Sequence, residues 1–241
     1  MASGLLYAKE VPINDTISVT VPEVGEVMAD EDGYYQAISV FTATPYDLMV
    51  QLDDAGIDFS TLSEYGLFLL LVGSLRTTDC ARVFGDVDTT TLAPVATPGG
   101  SLDDIRVVNK DGVTIDKAAY EQIGTVLRRI NNFEKTNKKP GNEAARKYMI
   151  ERARAKQKRA AKKPRRSQLE DLIVAMVNTE QFHYGFEDVA HLSLYQFNAS
   201  VAQVIKKVNY DHLMHGCYAG TIDIKNIDQS QLDWLKPPLS T

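Results

Sequence analysis

The chain has 241 residues, 44% of them hydrophobic, which suffices for a sizeable core, and a formal net charge of −6. Its longest apolar run, Leu67 to Val72, is far shorter than the roughly 20 residues a bilayer-crossing helix needs. Cys80 and Cys217 stand far apart without a CxxC partner, so a disulfide scaffold is not expected, although the spacing is compatible with a single long-range bridge.

In chain order, Thr16 to Pro22 alternates β-branched and polar residues, and the pattern predicts a strand with Leu5 to Val11 as hairpin partner. Tyr34, Ile38 and Phe41 take helical spacing after the acidic turn Asp30-Glu31-Asp32-Gly33. Thr44, Pro45 and Asp47 read as N-cap, N1 and N3 of a second helix that stops at Gly56. Thr61 and Glu64 form a capping-box pattern ahead of Leu67 to Val72, a run apolar all round and so expected to be the most buried helix of its domain. Residues 82 to 115 change character. Arg82 to Phe84, Thr90 to Val95 and Ile105 to Val108 read as short strands, and Asn109-Lys110-Asp111-Gly112 turns Val107-Val108 back against Val113 to Ile115. Asp116 then caps a helix with Tyr120, Ile123, Leu127 and Ile130 on one stripe.

Pro140-Gly141 breaks the chain, Asn142 is a cap, and Glu143 to Lys163 is a run of good helix formers that Pro164 ends. Its sizeable apolar residues, Tyr148, Met149 and Ile150, lie in its first turns, so two turns are expected to dock while the rest projects as a rod. Beyond it, Ser167 and Glu170 form a capping box before Leu169, Leu172, Ile173, Met176 and Val177. Ser193 caps a second stripe of Phe197, Val201, Val204, Ile205 and Val208. Gly216 and Gly220 flank a turn, and Ile222, Ile224, Ile227 and Trp234-Leu235 fold back over the helix ends before Pro237-Pro238.

The charge is segregated along this order. Residues 1–134 hold 8 Lys/Arg against 21 Asp/Glu, residues 135–166 hold 14 against 2, and residues 167–241 hold 4 against 9. The expected fold is α+β: an N-terminal mixed domain over 1–134, a basic helical connector over 135–166 and a mainly helical C-terminal domain over 167–241. So many cations cannot share a core, so the connector is solvated and matched by the acidic segments, laid on an acidic protein, or laid on nucleic acid. A single aromatic, Tyr148, and the acidic remainder of the chain weigh against nucleic acid. The candidate partner-binding residues are Arg146, Lys147, Arg152, Arg154, Lys156, Lys158, Arg159, Lys162, Lys163, Arg165 and Arg166.

No reaction centre is readable. GxGxxG, GxxxxGK[ST], GxSxG and HExxH are all missing. His212, His215 and Cys217 have a loose ligand-like spacing but need a further ligand from His183 or His191, and no metal is expected. Asp53, Asp54 and Asp58 around Gly56 fit neither the spacing nor the glycine position of an EF-hand loop. The expectation is a protein without cofactor that is not an enzyme.

Several phrases carry a resemblance: Val21-Pro22-Glu23-Val24-Gly25-Glu26-Val27, Tyr46-Asp47-Leu48 with Leu52 to Phe59, and Pro140-Gly141-Asn142-Glu143-Ala144-Ala145-Arg146-Lys147-Tyr148. To these are added Met176 to Phe182, Tyr195 to Ser200 and Tyr218-Ala219-Gly220-Thr221. Over nearly the whole chain they resemble a family of structural and tail-morphogenesis proteins of tailed bacteriophages that infect Gram-positive bacteria. The resemblance implies an assembly factor, chaperone or virion component with other phage structural proteins, such as the tail-tube or tape-measure protein, as partners, or with further copies of itself. It implies a place in the host cytoplasm during assembly, or in the virion, and the short apolar runs give no expectation of a membrane partner. It carries no catalytic motif.

Overall fold

The structure, a computed structural model, describes residues 4–96, 98–135, 139–162, 164, 166–223, 225 and 227–235. It is α+β, about 55% helix and 8% strand, with two small antiparallel sheets and eleven helices among the described residues. The chain opens on the hairpin β1 (Glu10–Asn14) and β2 (Ile17–Thr20). The partner strand therefore lies later than Leu5 to Val11. Asn14 sets the turn, because its side-chain oxygen accepts from the backbone N–H of Thr16 and Ile17 and closes the chain there.

Helix α1 (Val24–Ala29), not anticipated, starts on a Glu23/Glu26 capping box. It is followed by α2 (Glu31–Thr42), α3 (Met49–Asp54) and α4 (Glu64–Leu71). Thr44 and Asp47 exchange the expected cap hydrogen bonds, but they close a turn, and the helix proper begins at Met49 and ends before Gly56, whose φ is +72°. Helix α4 is capped by Ser63 rather than Thr61. It buries Tyr65, Leu67 and Phe68 but leaves Leu70 55% exposed, so it covers the core with one face and is not enclosed. Arg82 to Phe84, expected as strand, belong to the short helix α5 (Ala81–Phe84), in which Val83 and Phe84 point into the core. A run this short, with only Val83 and Phe84 apolar, does not separate the two states. The second sheet is β3 (Ala93–Val95), β4 (Arg106–Val108) and β5 (Thr114–Ile115), with the expected turn at Asn109 to Gly112. Asn14 and Thr16 tie the first hairpin to Thr114 of this sheet.

Helix α6 (Lys117–Asn131) is capped by Asp116 and buries Tyr120, Ile123, Leu127 and Ile130, as its stripe predicts. It crosses α2 closely at Gly124, where a Cβ would stand 2.8 Å from the Phe41 carbonyl oxygen. Around the crossing, Phe41, Tyr65, Phe68, Phe84 and Tyr120 form an aromatic cluster, the Phe68 and Tyr120 rings 4.8 Å apart.

After α7 (Glu143–Ala160) come α8 (Gln168–Val177), α9 (Phe186–His191), α10 (Leu194–Tyr218) and α11 (Gln229–Leu232). The apolar contacts run across the boundaries read from charge. Leu169, Met176, Phe182, Val189, Leu194, Phe197 and Val201 join one core with Val24, Val27 and Ile130 of the N-terminal segment. The backbone locks the same junction: the Val24 N–H donates to the Leu192 carbonyl, and the Leu194 N–H to that of Pro22. Gly25 makes the approach close, its Cβ position being 3.1 Å from the Ala190 carbonyl oxygen.

Only the first turns of α10 reach this core. Ile205, expected on the buried stripe, is 55% exposed, although Val204 beside it packs against the core. Gly216 lies inside α10 instead of flanking a turn. Its missing Cβ leaves room for Ile222, and Gly220, with φ +71°, makes the reversal. The tail returns along α10, with the Trp234 ring tilted against that of Tyr210, 6.4 Å between centroids, and its carbonyl accepting from Gln203. Ile224, Pro237 and Pro238 lie outside the described residues.

Candidate interaction surface

Asn142 starts α7, its side-chain oxygen accepting from the Ala145 N–H at 2.8 Å. The helix docks through Ile150, which is 5% exposed in a second cluster with Met49, Val50, Leu52, Phe59 and Leu67. Met149 and Ala153 pack on the rim of that cluster, so docking reaches about three turns rather than two.

Ion pairs fasten the same stretch. Arg154 contacts Asp53 at 3.2 Å and Asp54 at 2.6 Å, while Arg146 is 3.7 Å from Asp58. Ser60 donates its backbone N–H and hydroxyl to Asp58, and with Arg146 alongside this holds the carboxyl below the usual carboxylate range. The acidic turn around Gly56 is thus a landing site for α7. Such half-exposed pairs are each worth about 0–1 kcal/mol, so Ile150 and its neighbours carry the docking and the charges orient it.

The remaining sequence-predicted cations divide. Lys147 pairs within its own helix with Glu143 at 3.2 Å, and Arg166 lies 3.9 Å from Asp171. Arg152, Lys156, Lys158, Arg159 and Lys162 make no ion pair with another described residue. Lys163 and Arg165 lie outside the described residues.

Arg152, Lys156 and Arg159 lie on one side of the helix and line an open groove of about 800 Å³. One wall is Tyr46 and Met49, and the floor is Met149, Ala153 and Ala160. Of these, Met149 was expected to dock and Tyr46 only carried the resemblance, while Met49, Ala153 and Ala160 were not singled out from the sequence. The four- and three-residue spacing of 149, 153, 156 and 160 carries the signal, hidden because two of the positions are alanine and one is lysine. Asp47 also lines the groove, its carboxylate engaged by the Thr44 N–H and hydroxyl.

The four histidines do not converge. His191 sits 3.4 Å from Glu23, whereas His183, His212 and His215 are exposed elsewhere. Among the described residues no group of three or more His, Cys, Asp or Glu is placed to hold a metal ion, and no helix is long and apolar enough to cross a membrane.

No curated protein and no solved structure matches the chain. A family model does: residues 156–237, about a third of the chain, match the YomV second domain. The matched segment begins in the exposed half of α7 and runs through α8, α9, α10 and α11. Through this segment the chain is similar to a phage-associated protein family.

Proposed function

We propose that this chain is a non-enzymatic structural or assembly protein of a tailed phage, acting in the tail module by binding other phage proteins. The observation that carries the reading is the exposed half of α7, where Arg152, Lys156 and Arg159 stand unpaired among the described residues beside an apolar groove. Unpaired cations next to exposed apolar surface form a docking face, because burying that surface and neutralising those charges both favour association. The match of residues 156–237 to a phage-associated family supports the setting. Tail-tube and tape-measure proteins are the first partners to test, in the host cytoplasm during assembly and in the finished particle.

The second reading, a nucleic-acid-binding protein, draws on the same cations. Asp47, Asp53 and Asp54 beside them oppose a phosphate backbone, and the apolar floor would serve it nothing.

Co-expression of the full chain with individual phage structural proteins, followed by nuclease-treated pull-down, tests the proposal. The expected result is capture of one structural protein by the wild type and its loss on the combined change Arg152→Glu, Lys156→Glu and Arg159→Glu. Capture of none, or capture indifferent to charge reversal, overturns it.

A further inference from the structure

Helix α7 places Met149, Ala153, Lys156 and Ala160 at intervals of four, three and four residues, the repeat by which one helix pairs with another. Arg152 and Arg159, seven residues apart, each precede a seam alanine and flank that seam on one side. In paired helices such flanking positions face their counterparts on the partner, where opposite charge selects and like charge rejects. The inner half of the seam is supported by Met49 and Tyr46, and the outer half overhangs into the groove.

We propose that this seam receives an acidic amphipathic helix of a separate protein, with carboxylates seven residues apart set against Arg152 and Arg159. The inference rests on reading α7 as a protein-binding surface and specifies the chemistry of what binds there.

The groove runs along α7 from Tyr148 to Ala160, about 18 Å at the helical rise, which fits about three turns of a second helix. Alanine at 153 and 160 lets two helix axes approach to the short end of the usual 8–10 Å. Lys156 in the seam rejects a purely apolar helix, yet its alkyl stem packs along the seam while the ammonium reaches out to a carboxylate. The nearest acids of the chain itself do not fill this role, because Asp53 and Asp54 hold Arg154, Asp58 holds Arg146, and Asp47 is engaged by Thr44.

The test uses the full chain and a fluorescent peptide of about three heptads with leucine at the seam positions and glutamate at the flanks. Controls carry glutamine or lysine at those flanks, and a duplex DNA is titrated in parallel. The glutamate peptide is expected to bind about tenfold tighter than the glutamine peptide, and Arg152→Glu with Arg159→Glu to transfer the preference to the lysine peptide. Ala160→Arg, at an exposed position outside the core, keeps the positive charge and is expected to weaken the glutamate peptide about tenfold by blocking the seam. Far-UV circular dichroism confirms that each variant folds.

Equal binding of the glutamate and glutamine peptides, or binding of neither, overturns the proposal. DNA bound more tightly than the peptide and unaffected by Ala160→Arg assigns the surface to phosphate. Self-association of the protein that vanishes with Arg152→Glu and Arg159→Glu assigns it to a second copy; either result also overturns the proposal. If the peptide fails while a phage structural protein is still captured, the helix-pairing mode falls and the functional reading stands. If the peptide binds and no structural protein is captured, the functional reading falls alone.

Discussion

Phe197→Ala probes whether the chain has one core or two. Phe197 has no exposed surface, its ring is 6.2 Å from that of Phe182, and the neighbouring Asn198 side chain donates to the Ile130 carbonyl at the end of α6. The cavity cannot be filled by solvent-facing groups, so the cost falls in the range of about 3–5 kcal/mol for a buried phenylalanine. For a chain of this size each kcal/mol lowers the melting midpoint by about 2–4 °C, which gives a fall of about 6–20 °C. The assay is thermal unfolding followed by far-UV circular dichroism, which reports the whole chain, and by fluorescence of the single tryptophan, Trp234, which reports the C-terminal end. Because Phe197 shares its core with Val24, Val27 and Ile130, both signals should move together, and Phe41→Ala should move them together as well. A split transition, with the Trp234 signal shifted and most of the helix signal at the wild-type midpoint, would refute a continuous core and make residues 167–241 a separately folding domain.

Ile150→Ala should loosen α7 with little effect elsewhere, since Ile150 is the helix's buried anchor; amide exchange over 146–154 should speed up while α6 stays protected. Tyr35, Tyr65 and Tyr120 are pushed up to about 12 by burial, so their contribution to stability is intact below pH 10 and is lost as pH rises from 10 toward 12. The urea midpoint should therefore fall across that window, and less steeply in Tyr35→Phe; an unchanged slope would contradict the shift. Burial likewise pushes the Cys80 thiol up, whereas Cys217 is only half-buried, so Cys217 should be alkylated first in the folded protein, as peptide mapping after a short iodoacetamide pulse would read.

Features set by a single residue's chemistry were readable in the sequence. Asp116, Asn142, Ser167 and Ser193 each cap the helix that follows, because a short oxygen-bearing side chain accepts from the unpaired N–H groups of the first turn. Features that depend on where the chain goes next were not. Whether Arg82 to Phe84 coil or extend is decided by the core they enter, and which residues of the α10 stripe are buried is decided by what packs against each of them. The same holds for the surface. The basic residues of α7 were evident from composition, but the pairing of Arg146 and Arg154 with acids about a hundred residues earlier separates docking cations from unpaired ones. Only the position of α3 against α7 turns the alanines at 153 and 160 into the floor of a groove.

The most direct measurement is photocrosslinking from inside α7 during phage assembly. A photoactivatable residue at position 156, in the lining of the groove, is expected to capture a phage structural protein in a nuclease-resistant adduct. The same residue at position 7, exposed on the N-terminal segment, is expected to capture much less of it. Equal capture from both positions, or an adduct at position 156 that nuclease removes, would contradict a protein-binding role for this helix.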